Sequence, residues 1–173
     1  MKKIVKIIGI SIVLLVVSFH SFAQLTASAT ATATIVTMIG LNKQNDMNFG
    51  NLAVTSTPGT VQLSPSATPT RTVVGGVTLP GVTGTVQAAF FTVTGMPSYV
   101  YTITLPSSNI IQRQSGSEQM TVDVFTSNPT PTGTLNISGN GSFYVGATVH
   151  VSSLQTPGVY VSVSPFNVTV NYQ

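Results

Sequence analysis

The chain has 173 residues, contains no cysteine, and carries six basic against three acidic side chains. Half of the basic residues, Lys2, Lys3 and Lys6, precede an apolar run from Ile7 to Phe19, so residues 24–173 carry three charges of each sign. A neutral chain lacks the clustered Lys and Arg that phosphates require, which argues against a nucleic-acid partner. The absence of cysteine excludes disulfides and a thiol nucleophile.

The N-terminal segment has the layout of a secretory signal peptide. Its lysines precede the apolar run, and Ser21-Phe22-Ala23 supplies small residues at the positions that precede cleavage. The apolar run is shorter than the roughly 20 residues that a membrane-spanning helix needs. We therefore expect a signal peptide over residues 1–23 and a mature chain over residues 24–173. We also expect that mature chain to have no transmembrane anchor and to be exported to the periplasm, the cell surface or the medium.

The mature chain alternates apolar and polar residues with a period of two and shows no sustained helical period. Residues 26–34 alternate Thr or Ser with Ala, and the apolar residues Ile35, Val36, Met38 and Ile39 follow. Further alternating segments, separated by turn residues, are 61–63, 73–79, 89–93, 99–105, 120–124, 143–151 and 159–172. Strands without helices predict an all-β fold, and we expect one antiparallel β-sandwich domain over residues 24–173.

Two of these segments give sharper expectations. The pair Gly75-Gly76 indicates a hairpin turn within residues 73–79. The alternation over residues 120–124 predicts that Met120, Val122 and Val124 face inward and that Asp123 faces outward.

The last segment changes its apolar face. Apolar residues are odd-numbered up to Val163 and even-numbered from Phe166. A strand cannot change its buried face without an extra residue, so we predict a bulge or break at Ser164-Pro165.

Side chains suited to catalysis are few. His150 is the only histidine after residue 23. It lies on the polar side of its strand, and the alternation predicts no carboxylate beside it, so we favour a solvated histidine over a triad or zinc ligand. The carboxylates of Asp46, Glu118 and Asp123 are expected at the surface rather than as a glycosidase pair. We expect no enzyme, catalytic residue, metal or cofactor.

Three other motifs have structural interpretations that we favour. Residues 46–50 faintly resemble a calcium loop, but Thr57 stands where its bidentate glutamate would be, so an Asx turn is expected. Arg71 and Arg113 are interpreted as surface residues in polar loops. Three strand tyrosines have the chemistry to stack on sugars but are more often core or interface residues: Tyr99, Tyr101 and Tyr144.

Six segments, in order along nearly all of the mature chain, carry a family resemblance: residues 46–52, 75–79, 88–95, 101–106, 144–147 and 166–172. Together they resemble the DUF4402 family, exported bacterial domains without an assigned activity. The resemblance implies an immunoglobulin-like β fold and supplies no known catalytic residues.

Asn48-Phe49-Gly50 and the C-terminal strand with its penultimate tyrosine also resemble spore coat U-type and chaperone–usher pilin subunits. Typical pilins place a glycine 14 residues from the end, where this chain has Tyr160. Pilins assemble by β-augmentation, in which a neighbour's extended terminus fills a missing strand position. Residues 24–39 are then either a donor strand or the first strand of their own domain.

The leading hypothesis is a non-catalytic exported structural or surface protein, a pilin-like fimbrial subunit that associates with itself or with partner subunits by β-augmentation. The alternative is a self-contained secreted binding module, for example for carbohydrate. Its contact surface would lie in the loops at residues 64–72 or 107–118.

Overall fold

The computed structural model describes residues 25–173, so the predicted signal peptide at residues 1–23 lies outside the described residues. The chain divides into two units, one ending at Ile35 and one spanning Val36–Gln173. In the first unit, residues 25–35 contain no strand and all are exposed. Between residues 25 and 173 there is no helix long and apolar enough to cross a membrane.

The second unit consists of β-strands joined by turns and loops. The strands are β1 (Gly40–Asn45), β2 (Asn48–Phe49), β3 (Ala53–Leu63), β4 (Arg71–Thr78), β5 (Val86–Gln87), β6 (Ala89–Thr94), β7 (Val100–Thr104), β8 (Ser108–Arg113), β9 (Gln119–Asn128), β10 (Thr132–Thr134), β11 (Asn140–Val151), β12 (Tyr160–Ser162) and β13 (Thr169–Tyr172).

The strands form a larger sheet, a smaller sheet and a short two-stranded ribbon. The larger sheet has the order β1-β6-β11-β9-β8-β12, with β3 also paired to β11 and β4 paired to β3. The smaller sheet has the order β10-β7-β13, and β2 pairs with β5. Every pairing is antiparallel, which confirms the predicted all-β, antiparallel β-sandwich.

Two apolar clusters form the core. The first joins inward residues of both sheets, and within it the rings of Phe91 and Phe143 stack with centroids 5.2 Å apart. The second gathers inward residues of β3, β4, β9 and β11 and is contacted by Met47, Phe49 and Leu52. Inward positions of β11 contribute to both clusters, as their alternation predicted: Phe143, Val145, Ala147, Val149 and Val151.

The predicted inward position of Val124 is wrong. The register between β9 and β11 shifts between Gly146 and Thr148, so two residues of β9 lie opposite one residue of β11. Val124 has a φ of 46° and is 59% exposed, while Phe125 packs against both clusters. A bulge of this kind exchanges the two faces of a strand, which simple alternation cannot anticipate.

The predicted hairpin turn at Gly75-Gly76 is also wrong. Both glycines lie within β4, whose partner β3 shows a register shift between Val54 and Gly59. Gly75 has a φ of 78°, and a Cβ there would lie 2.6 Å from the carbonyl oxygen of Pro58. The extra residues of this irregularity belong to β3, and the glycine pair lies opposite them within a continuous β4, where positive φ and the missing Cβ allow the two backbones to approach closely.

The predicted break at Ser164-Pro165 is confirmed. β12 pairs with β8 in the larger sheet, whereas β13 pairs with β7 in the smaller sheet. The face change thus marks where the chain crosses from one sheet to the other. Val159, Val161 and Val163 are exposed, so only the even-numbered face after the break contributes to the core.

The bulge predicts opposite responses at neighbouring positions. Phe125→Ala removes a ring that lies 5.1 Å from that of Phe166, and we expect it to lower the free energy of unfolding by about 2 kcal/mol. Val124→Ala removes an exposed side chain and should change it by less than about 0.5 kcal/mol. Urea denaturation followed by tyrosine fluorescence measures both. A larger loss at Val124 than at Phe125 would contradict the bulge.

Candidate functional site

Residues 25–39, here called the N-terminal arm, are an exposed segment without a strand. Ile35 and Met38 are 96% and 86% exposed, and only Ile39 is partly buried, against the first core cluster. The arm contains no charged residue and keeps the alternation of Thr or Ser with Ala described above. Residues 25–39 carry no strand, and both roles that the sequence left open for this segment remain predictions.

The last residues of the arm lie beside the C-terminal end of β13. The Tyr172 hydroxyl donates a hydrogen bond to the Thr37 carbonyl oxygen at 2.8 Å and accepts one from the Met96 backbone N–H at 2.6 Å. The ring of Tyr99 contacts that of Tyr172 edge-on, with centroids 5.5 Å apart. The penultimate tyrosine therefore fixes where the segment Val36–Ile39 passes the smaller sheet.

Most free strand edges carry a feature that discourages pairing with another chain. β1 contains Lys43 and a register shift, and β4 contains Arg71 and an irregular register against β3. β10 follows two prolines and β12 is flanked by Pro157 and Pro165, and each has only three residues.

β13 differs from these edges. It contains no charge, no proline and no register shift against β7, and its other edge has no strand partner among residues 25–173. The alternating pattern continues backwards to Phe166, and three apolar side chains of this C-terminal segment are only partly buried against the first cluster: Phe166, Val168 and Tyr172. This edge is therefore the unprotected one, with apolar surface beside it.

Arg71 is a structural residue and not the free surface residue that the sequence suggested. Its Nη1 donates hydrogen bonds to the carbonyl oxygens of Phe49 and Asn51, each at 2.9 Å. These bonds tie the segment that covers the second core cluster to the start of β4. Nothing in the local sequence signals this contact, because it joins residues about twenty positions apart.

The expectation that His150 has no carboxylate beside it is wrong. Its Nε2 lies 2.7 Å from Oδ1 of Asp123, on the outer face of the larger sheet. The outward positions of both side chains were predicted correctly. The prediction failed because β9 and β11 are neighbouring strands. Asp123 lies opposite Thr148, which is two residues before His150 on the same face of β11, so the two side chains are diagonal neighbours. The imidazole also lines a shallow depression with Thr60, Val74 and Ser152.

Arg113 and Glu118 form a two-point ion pair across the turn between β8 and β9. Nε and Nη2 of Arg113 donate to the two carboxylate oxygens of Glu118 at 2.7 and 3.1 Å. The hydrogen bond from Arg113 is the main cause that lowers the pKa of Glu118 from 4.5 to about 2. The same bond raises the pKa of Arg113. The pair closes the hairpin of the predicted contact loop 107–118.

The faint calcium-loop motif forms the expected Asx turn. Oδ1 of Asn48 accepts a hydrogen bond from the Gly50 N–H at 2.8 Å, and Asp46 pairs with Lys43 at 2.5 Å. Over residues 25–173, no group of three or more His, Cys, Asp or Glu side chains is arranged to hold a metal ion.

The three tyrosines differ in environment. Tyr101 is 1% exposed within the first cluster, which matches the core interpretation. Tyr99 is partly exposed beside Tyr172. Tyr144 stacks on Phe90, with centroids 4.6 Å apart, on the outer face of the larger sheet.

These two layers of antiparallel strands define an exclusively β class of domain. A family model described as "Domain of unknown function (DUF4402)" matches residues 39–172, and the chain belongs to this family. The match begins at the last residue of the arm. No curated protein and no solved structure matches the chain, and the resemblance to pilins is not confirmed.

The Glu118 pair predicts an acid-sensitive contribution to stability. A carboxyl group with a lower pKa in the folded state stabilises the fold above its unfolded pKa and loses this contribution as the pH falls through the folded pKa. The urea midpoint should therefore decrease between pH 4.5 and about pH 2. Glu118→Gln should show a smaller decrease, measured by urea denaturation at each pH.

Asp46→Asn is the matched control, because the Asp46 side chain is 81% exposed in its pair with Lys43. The urea midpoint of Asp46→Asn should follow that of the parent at each pH more closely than the midpoint of Glu118→Gln does. Identical profiles for the parent and Glu118→Gln would rule out this role of the pair.

Proposed function

We propose that this protein is a non-catalytic structural subunit that acts after export and assembles with further copies of itself by β-strand addition. The arm of one copy pairs with the free edge of β13 in the next copy. The observation that carries the proposal is the arm itself, an exposed, uncharged, alternating segment that forms no strand. A second copy is the occupant we favour, because the same chain supplies both an extended segment and an unprotected edge.

The alternation within the arm supports a definite orientation. Its odd-numbered positions from 27 to 33 are alanines, followed by Ile35, and its even-numbered positions from 26 to 34 are Thr or Ser. In an extended strand these two sets point to opposite faces. The odd face would then lie against the partly buried Phe166 and Val168, while main-chain hydrogen bonds to β13 supply affinity.

The charges of the domain do not oppose such an assembly. Three pairs, Lys43–Asp46, Arg113–Glu118 and His150–Asp123, hold every carboxylate of residues 25–173. The remaining arginine, Arg71, donates to backbone carbonyls. Because arm and edge are different surfaces, each contact is head-to-tail and leaves one arm and one edge free, which produces an open chain of subunits.

Deletion of residues 24–36 tests the donor role. We expect loss of oligomers and a destabilised monomer, because the β13 edge and the apolar surface beside it then stay uncovered. A synthetic peptide of residues 24–36 should restore stability. Size-exclusion chromatography with light scattering and thermal unfolding measure the two effects. A deletion variant as stable and as monomeric as its parent would refute the proposal.

Two single substitutions in the arm form a matched pair. Ala31→Lys places a charge on the face proposed to pack against the core and should reduce assembly strongly. Thr30→Lys places the same charge on the opposite face and should reduce it much less. The oligomer distribution at equal protein concentration measures both, and equal effects would contradict the proposed orientation.

Cysteine cross-linking tests the edge, since the chain has no cysteine of its own. Mixed single-cysteine variants, Thr30→Cys, Thr32→Cys or Thr34→Cys in the arm with Asn171→Cys in β13, should form disulfide-linked dimers in at least one register. Ser162→Cys on the β12 edge is the control and should not cross-link. Cross-links to Ser162→Cys alone would show that the arm pairs with β12 and not with β13. Such a result would contradict the proposed edge but not assembly by strand addition.

A further inference from the structure

A row of four side chains crosses the outer face of the larger sheet over four adjacent strands. Asn45 of β1 lies opposite Phe90 of β6, Phe90 opposite Tyr144 of β11, and Tyr144 opposite Asn128 of β9. The neighbours of the two aromatic residues along their strands are buried, which places the row on the face away from the core: Ala89, Phe91, Phe143 and Val145. We call these four residues the amide–aromatic row.

The row combines an apolar centre with polar ends. The rings of Phe90 and Tyr144 are stacked at 4.6 Å with an interplanar angle of 21°, and both are partly exposed. Asn45 and Asn128 at the two ends are exposed. With strands about 4.8 Å apart, the row is about 14 Å long.

The surroundings of the row are polar but uncharged. The next row on the same face consists of Asn42, Thr92 and Ser142, and Nε2 of Gln44 donates to Oγ1 of Thr92 at 3.0 Å. The nearest charges along β1, Lys43 and Asp46, neutralise each other.

A loop borders the row on its other side. Gly146 follows Tyr144 on the outer face, and a Cβ there would lie 2.1 Å from the Leu63 carbonyl oxygen and 2.9 Å from the Pro65 nitrogen. The chain leaving β3 therefore passes directly over Gly146. Residues 64–70, all Ser, Thr, Pro or Ala, continue from this crossing and give the row an uncharged rim.

We propose that the amide–aromatic row is a binding site for a neutral saccharide. A sugar ring has a C–H face that packs on aromatic rings and a rim of hydroxyls that both donate and accept hydrogen bonds. Asparagine amides also donate and accept, so they match hydroxyls at either end of the row. An anionic ligand would find no free cation here, and an alkyl chain would leave the amides unpaired.

The site does not depend on the proposed strand addition. It lies on the face of the larger sheet, whereas β13 is an edge of the smaller sheet. It uses one of the two loops expected to contact carbohydrate, residues 64–72, and not residues 107–118.

The test is titration of the ¹⁵N-labelled protein with five neutral hexasaccharides: maltohexaose, cellohexaose, chitohexaose, mannohexaose and laminarihexaose. At least one should shift the side-chain amide signals of Asn45 and Asn128 in a saturable manner. Tyr144→Ala should weaken that binding about tenfold and Asn128→Ala about fivefold. Asn128 is exposed, so its variant keeps the test valid if loss of the Tyr144 ring impairs folding.

Asn171→Ala, an exposed asparagine on the smaller sheet, is the matched control and should bind like the parent. Three results would overturn the proposal: none of the five sugars shifts the Asn45 and Asn128 amides, the shifts map to residues 107–118 instead, or Asn128→Ala binds as tightly as Asn171→Ala.

Discussion

The alternation of β11 is the constraint on which the rest of the structure depends. This strand of twelve residues pairs with β9 along one side, and with β6 and then β3 along the other. Its inward residues supply both core clusters, so the same period of two fixes what lies on its opposite face. Burial of Phe143 and Val145 places Tyr144 between them on the outer face. The core and the amide–aromatic row are therefore two consequences of one pattern.

The charged side chains of residues 25–173 are all hydrogen-bonded within the domain, which limits the chemistry that remains at the surface. Each carboxylate of residues 25–173 has a basic partner, and Arg71 is held by backbone carbonyls. Surface potential therefore offers little to steer or hold a charged ligand. Recognition must then use main-chain hydrogen bonds at an edge, or amides, hydroxyls and aromatic rings on a face. The arm with β13 provides the first kind of surface, and the row provides the second.

Sequence periodicity predicted the strands of the core well, because burial of one face of a strand makes every second residue apolar, and this pattern is visible in the sequence. It failed where a backbone irregularity intervened: the extra residue of the bulge turned Val124 outward and Phe125 inward. It also failed for contacts that require strand order. His150 and Asp123 were each placed outward correctly, yet their 2.7 Å contact depends on β9 lying beside β11. Likewise, Arg71 donates to the carbonyl oxygens of Phe49 and Asn51 only because the fold brings the start of β4 next to residues 49–51.

The two proposed surfaces reinforce each other in an assembly. Strand addition at β13 uses an edge of the smaller sheet and leaves the outer face of the larger sheet uncovered. In the proposed assembly, each added subunit would therefore contribute one amide–aromatic row. A neutral saccharide has only a small contact area on one such row, and affinity for a single site is correspondingly weak. If both proposals hold, a chain of rows on one long polysaccharide would convert later binding events into intramolecular ones and so raise the overall affinity without any new contact.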